Sequence, residues 1–457
     1  QAIPALQKMV WGQTPLFQAY LDWEQAINRA SLSNRTLQNN QRFIQSLMAA
    51  DFDWQTLRIA EKANSPVFSP HPITNHLQGP VGFYKSAREW ATNSHHALDS
   101  FQPIFPKTEI LLKPPHTVEN HIHFSFRFGD RVPLPTSFVV NIHQGRFFLN
   151  QAESCTAVIT PDNQLIGDLS PESPALSPNH PDKHSSKHSL LSRKNLPEVT
   201  YIDGNVVVLL GILNNIYFHW LFDILPRIHL LKKSHLNWEN IDYFLIYNHQ
   251  PFQFETLALL GVEEHQILAP EISEDLHLQA HNLIVPSFPG TVAWMPPWVC
   301  QFLRNLLLEE INPRVKPRKR IYIRRDRSAS RRLINEEEVI QLLDPLGFIP
   351  YQLELLSVQE QARLFAEAEI IVSPHGSGLS NLVFCQKKTQ VIEIFSPFYV
   401  YPCYWLVSNL VGLQYYYVIG EIIGSDHFHR FLYPDSREED IYLDCHRLAD
   451  LLKLAKV

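Results

Sequence analysis

The clearest alternation of apolar and polar positions runs from Arg318 to Pro397. Arg320-Ile-Tyr-Ile-Arg324 is a β-branched and aromatic run that reads as a strand. Beyond it, Val339, Ile340, Leu342, Leu343 and Leu346 recur at helical spacing, with Asn335 placed to cap them and Glu338 as its capping-box partner. Gly347 is the natural stop of that helix. Ser357-Val-Gln-Glu360 is a second capping box, opening a helix to about Ala368. Glu369-Ile-Ile-Val-Ser373 reads as a short buried strand, followed by the turn Pro374-His375-Gly376-Ser377-Gly378 and a helix from about Leu379. Strands alternating with helices at this spacing predict an α/β fold with a parallel sheet covered on both faces.

A similar alternation begins near residue 200. Asn205-Val-Val-Val-Leu-Leu-Gly reads as a buried strand and Asn215 to Lys232 as a helix. Tyr217, Trp220, Ile224, Ile228 and Leu231 form its apolar stripe, while His219, Asp223 and Arg227 form a second stripe at i, i+4, i+8. Pro226 removes a hydrogen bond to the preceding turn and predicts a kink. Tyr243-Phe-Leu-Ile-Tyr, Gln266-Ile-Leu and Leu283-Ile-Val-Pro read as strands, and 254–260 and 296–311 as helices.

Upstream, residues 1–100 have a helical pattern (Leu16, Tyr20, Trp23; Phe43, Leu47, Met48), and 101–170 read as β-rich. There the runs Phe124-Ser-Phe-Arg-Phe, Phe138-Val-Val-Asn-Ile and Arg146-Phe-Phe-Leu-Asn precede a hairpin over 157–166. Residues 171–198, rich in Pro, Ser, His and Lys, predict a linker. Two α/β domains follow, 199–312 and 313–440, the second containing the strand Gln414-Tyr-Tyr-Tyr-Val. A closing helix within 441–457 is expected to return to the first of them.

A chain of 457 residues needs more than one core, and 45% hydrophobic with 19% charged residues is a globular balance. The formal charge of −7, with basic residues gathered only at 314–332, argues against a general nucleic-acid binder. Five scattered cysteines without a C-x-x-C pair suggest reduced thiols and a cytoplasmic setting, with membrane association left open. The most apolar window, Val206 to Leu231, is broken by Asn214, Asn215, His219, Asp223 and Pro226, so no membrane span is predicted. The chain begins at Gln1 without Met, so a missing targeting segment carries little weight.

Several short patterns are better explained by chance or by surface placement. Asp51-Phe-Asp53 resembles a metal-holding triplet but lies far from any Gly-rich loop. His121 and His123 lack a third ligand, and His180, His184 and His188 sit among prolines. Asn34-Arg-Thr36 is one sequon in a long chain.

Two loops hold the candidate chemistry, both at carboxyl ends of strands, where parallel sheets bind ligands. Arg324, Arg325, Arg327, Arg331 and Arg332 supply guanidinium groups that can grip phosphate bidentately. The Ser373–Gly378 turn supplies glycines for close backbone approach and a helix N-terminus that favours an anion. A diphosphate suits both. The plain alternative is a solvated arginine face and a turn histidine.

The segments IYIRRDRSASRRLINEEEV, LLSVQEQARLFAEAEIIVSPHGSGLSNLVF and VIEIFSP resemble glycosyltransferase family 61, as does YFHWLFDILPRI around His219, Asp223 and Pro226. The resemblance places Arg325, Arg331 or Arg332, Asn335, Glu336, His375, Gly376, Ser377, Gly378, Leu379 and Asn381 at donor-binding positions. Arg324 departs from the pattern, standing where a small polar residue is expected. The resemblance implies a GT-B-like architecture, two Rossmann-like domains across a cleft, with acceptor held by 199–312 and donor by 313–440. It also implies inverting sugar transfer without a metal or cofactor, from a nucleotide sugar (a UDP-sugar among the candidates) to a hydroxyl of a glycan or protein. Polysaccharide biosynthesis is one family setting.

Within that reading Asp223 is the first choice of base, His219 its orienting partner or the base itself, and Arg227 an acceptor contact. Glu393 could accept ribose hydroxyls. The rival readings are a non-catalytic nucleotide- or glycan-binding protein and a sugar-nucleotide epimerase. Which sugar, which acceptor and which oligomeric state are not encoded in these patterns.

Overall fold

In the computed structural model the described residues are 78–457, apart from 94–99, 128–130, 151–154, 173–183, 212, 271–274, 309–316, 326–327 and 329, with the backbone of Pro72–Ile73 in addition. The expected early helices, Asp51–Asp53, the Asn34 sequon, His180 and Arg327 fall outside them.

The second α/β half follows its hydrophobic pattern closely. Its sheet is parallel throughout, in the order Phe348–Tyr351, Lys319–Ile323, Ala368–Pro374, Gln390–Phe395, Gln414–Ile419 and His116–Thr117. The last of these strands comes from far upstream, within the β-rich segment. Ser357 and Glu360 form the capping box in both directions at 3.2 and 2.8 Å. The carboxylate of Glu255, from the first half, adds hydrogen bonds from the Val358 and Gln359 amides at 2.8 and 3.0 Å. A negative charge on these unpaired amides also complements the helix dipole. Gly347 stops the earlier helix in the left-handed region, at φ 79.

The first half is a mixed sheet. Ile267–Leu268, Tyr243–Leu245, Val199–Val208 and Leu276–Pro286 run parallel. Ser137–His143 and Arg146–Asn150 then pair antiparallel with Leu276–Pro286, continuing the sheet into the β-rich segment. The 157–166 hairpin forms between Cys155–Ile159 and Gln164–Ile166.

Helices of both halves share one core. Val299, Cys300 and Leu303 of Pro297–Leu308 join Leu382, Phe384, Tyr404 and Leu406 in a single buried cluster. Each such side chain contributes about 1.5–3 kcal/mol on leaving water. Arg304 ties the halves further, donating to the Val383 and Cys385 carbonyls at 2.8 Å each.

Two expectations are corrected. Phe124–Phe126 is a 3-10 turn, not a strand, because Phe126 turns inward against Trp405 and Tyr417 at 5.4 and 4.7 Å. The closing helix Cys445–Leu454 packs on the second sheet, where Leu448, Leu451 and Leu452 meet Ile370, Ile392 and Tyr416. Its Arg447 is held there by Glu119 and Glu421. No helix of the described residues is long and apolar enough to cross a membrane.

Candidate active site

The helix carrying His219 and Asp223 is irregular in the place that matters. Tyr217–His219 is α-helical, Trp220–Ile224 is a π-helical turn, and Leu225–Lys233 returns to α geometry. Pro226 cannot donate to the preceding turn and its ring crowds the carbonyl there, so the predicted kink takes the form of a widened turn. His219 Nδ1 lies 2.6 Å from Asp223 Oδ2. The Ala293 amide donates to both carboxylate oxygens, at 3.1 and 3.3 Å. Asp223 is buried, while the His219 side chain is 15% accessible. With Nδ1 committed to the carboxylate, Nε2 is the ring atom left to take a proton.

Arg227 faces into the protein rather than outward. Its guanidinium is buried and donates to the carbonyls of Val208, Leu209 and Pro286 at 2.8 to 3.0 Å. Phe288 covers it at 5.0 Å. Burial lowers its pKa, opposed by the charge of Asp223. Arg227 therefore ties together the carboxyl ends of two parallel strands. Arg227→Ala removes the guanidinium donors from those carbonyls, and a stability loss of about 3 kcal/mol or more is expected in urea unfolding. A loss below about 1 kcal/mol would mean that water replaces the guanidinium at little cost.

On the second half, Ala368–Pro374 delivers His375 and Gly376 to the carboxyl edge of its sheet, and a 3-10 helix, Ser377–Phe384, follows. Arg325 packs so closely on Gly376 that a Cβ there would fall on the guanidinium. Arg325 Nη2 donates to Ser328 Oγ at 2.6 Å and the Ser330 carbonyl at 3.1 Å. Its Nε is buried without a hydrogen-bond partner among the described residues. A buried donor of this kind costs about 1–3 kcal/mol unless something accepts from it. Burial, and then the neighbouring Arg331, lower the Arg325 pKa to about 10. Arg331 has a left-handed backbone, φ 56, and donates from Nε to the His375 carbonyl at 3.2 Å. Two cations thus flank one glycine turn, and a neighbouring anion would relieve their repulsion.

His375 is buried, with Nδ1 2.5 Å from Glu393 Oε1. Burial, then Arg331 and Arg325, push its pKa well down, so the ring stays neutral. Burial pushes the Glu393 carboxyl well up, opposed by the hydrogen bond that Tyr415 donates to its other oxygen at 2.5 Å. Glu393 is fully buried with both oxygens occupied. It positions His375 and cannot meet a ribose.

Other positions carried by the resemblance also face inward. Arg332 pairs with Asp440 at 2.7 Å, which separates it from Arg331. Glu336 accepts from Tyr322 and Arg324 at 2.9 and 3.0 Å, so the unexpected Arg324 is held as a strut. Asn335 stands at the N-cap without capping; its amide exchanges hydrogen bonds with the Leu443 backbone at 2.9 and 3.1 Å. Leu379 is core, and a Cβ on Gly378 would meet Leu353 at 2.8 Å, so that glycine serves packing. Asn381, fully buried, accepts from Tyr217 at 3.0 Å and donates to Gln361 at 2.7 Å. It joins the start of the His219 helix to the glycine turn. Ser377 is half-buried at the head of the 3-10 helix.

Three tyrosines without a sequence signal complete the region. Tyr399 packs edge-on against His375 at 5.4 Å and lies under the Arg331 guanidinium at 5.7 Å. Tyr404 touches His375 on one side and Phe218 on the other, at 5.3 and 5.5 Å. Tyr401 is raised mainly by burial, with a further contribution from the charge of Asp223. The segment 399–404 therefore runs between the two candidate centres. Elsewhere, Cys155, Glu172 and His188 bring ligand-type atoms within 4.8 Å of one another. The His188 ring is already spent on the Thr156 carbonyl and Leu190 amide, at 3.1 and 3.2 Å, as in a core histidine.

Fold and geometry define an α/β protein with a cationic glycine turn on one half and a histidine–carboxylate pair on the other. Residues 217–392 match the family model Glycosyltransferase 61. A stretch of 93 residues is 31% identical to Beta-1,2-xylosyltransferase RCN11 of Oryza sativa subsp. japonica, covering 19% of this chain and 17% of that protein. Another of 98 residues is 30% identical to Beta-1,2-xylosyltransferase of Arabidopsis thaliana, covering 19% of this chain and 18% of that protein. The matches thus span under a fifth of the length of these curated relatives.

Proposed function

We propose that this protein is an inverting, metal-independent glycosyltransferase, moving a sugar from a nucleotide sugar to a hydroxyl of a glycan or protein. The observation that carries the proposal is the buried Arg325 Nε, without a partner among the described residues, beside Gly376 and Arg331. A diphosphate there would receive a charge-assisted hydrogen bond and two positive charges, which a leaving nucleoside diphosphate needs. The two α/β halves then act as in a GT-B enzyme, donor on the second and acceptor on the first.

The acceptor oxygen bonds to the anomeric carbon from the face opposite the diphosphate. The carbon–oxygen bond to phosphate breaks, its electron pair leaves with the nucleotide, and the hydroxyl proton passes to His219 Nε2. Asp223 keeps Nδ1 protonated and stabilises the imidazolium that forms. Of the two candidate bases His219 is the one chosen, because the carboxylate is buried under the Ala293 amide while the ring is accessible. The relatives' names recommend a pentose donor as the first to try.

The test is a panel of UDP- and GDP-sugars scored for thermal stabilisation and slow donor hydrolysis, with and without EDTA. Stabilisation by one nucleotide and EDTA-resistant release of its diphosphate is the expected result. Stabilisation by none of them would remove the diphosphate site, and loss of turnover in EDTA would return a metal to the mechanism.

A further inference from the structure

A cavity of about 640 Å³ opens where the parallel strands of the first sheet end. Ser287 and Phe288, which line it, directly follow the Leu276–Pro286 strand. Carboxyl ends of parallel strands are where such sheets receive ligands. The volume falls within the roughly 300–1,000 Å³ range of small-molecule sites. A second space, about 20 Å³, lies against His219 and Asp223 and shares three walls with the first: Pro171, Phe288 and Val292. A molecule filling the large cavity would therefore lie beside the proposed base.

The lining suits one kind of guest. Phe101, Phe138 and Phe288 offer apolar faces, as do several prolines. A pyranose has such a face in its C–H groups and a rim of hydroxyls around it. Asp168, in the 3-10 turn Gly167–Leu169, supplies a carboxyl group for that rim. It is accessible, yet protein crowds it on its other sides. The Ala87 amide donates to one of its oxygens at 2.8 Å and holds the side chain in place. Its carboxylate oxygens can accept from hydroxyls. Arg88 and Glu172 line the cavity with opposite charges, so the wall has no strong excess of one sign to select a charged ligand.

We propose that this cavity is the acceptor subsite and takes a neutral oligosaccharide, gripped at its hydroxyls by Asp168. Phe101, Phe138 and Asp168 precede residue 217, where the family match begins, so acceptor choice is written largely outside the family segment. The inference rests on the transferase reading.

Its test uses the full chain on a glycan array of neutral oligosaccharides, followed by kinetics with the glycan bound. Asp168→Asn preserves shape and leaves an acceptor for the Ala87 amide. Thr136→Trp fills part of the cavity, and thermal unfolding checks that it folds. Asp168→Asn is expected to raise the acceptor KM, or weaken array binding, by about 10-fold, the loss of one hydrogen bond to a charged group. Donor hydrolysis and nucleotide stabilisation should be unchanged. Unaltered acceptor KM and array binding in Asp168→Asn would overturn the subsite while leaving the transferase reading intact. Failure to bind any neutral oligosaccharide would overturn it too, whatever the nucleotide panel shows.

Discussion

His219→Gln is expected to lower kcat by about 10²–10⁴-fold while nucleotide affinity stays close to that of the unaltered protein. The ring nitrogen facing Asp223 is fixed at 2.6 Å, and the carboxylate is itself anchored by the Ala293 amide. That arrangement fixes the tautomer and leaves Nε2 basic. Asp223→Asn keeps an acceptor for Ala293 but no longer holds the proton on Nδ1, so a kcat loss of similar order is expected. The double variant should be no worse than the weaker single one, because the pair acts as a unit. Initial-rate kinetics on the three variants decide the matter. If His219→Gln keeps near-normal turnover and Asp223→Asn abolishes it, the carboxylate takes the proton and the ring only orients it.

Much of the fold could be read because hydrophobic periodicity survives tertiary packing in the second half. The strand at 320–323, the Ser357 capping box and the Gly347 stop all form as local rules require. Local rules fail where the partner is remote. Asn335 looks like an N-cap, but its amide is claimed by Leu443, which is 108 residues away. Arg331 and Arg332 are indistinguishable in sequence, yet Asp440 takes the second and leaves the first beside His375. Glu393 and Asn381 occupy motif positions with every oxygen spent inside the protein. Arg227 illustrates a geometric cause. Its place in the His219 stripe assumes an unbroken α-helix, and the π-helical turn at 220–224 changes the phase between Asp223 and Arg227. Tyr399 and Tyr401 lie in irregular chain and Tyr404 in the first turn of the helix Cys403–Val411, so no motif marks them and only packing brings them between the two centres.

Gly376→Ala should separate folding from donor binding more cleanly than any change to an arginine. At φ 173 the backbone is extended, so alanine meets no conformational penalty. The obstacle to a methyl group is the end of the Arg325 side chain, which can swing away at little cost to stability. The protein is therefore expected to fold with a Tm within a few degrees of its normal value. The displaced guanidinium, however, no longer points its Nε at the proposed diphosphate position. Loss of one such charge-assisted donor is expected to cost about 10²-fold in donor-dependent turnover, together with most of the nucleotide-induced stabilisation. Arg325→Ala should reproduce the loss. Combining the two should add little, because one substitution acts through the group that the other removes. Thermal shift with the preferred nucleotide and donor-hydrolysis rates on the three variants are the measurements. Full nucleotide stabilisation in a folded Gly376→Ala variant would place the phosphates away from Arg325, and Arg331 would then be the remaining cation of the turn able to hold them.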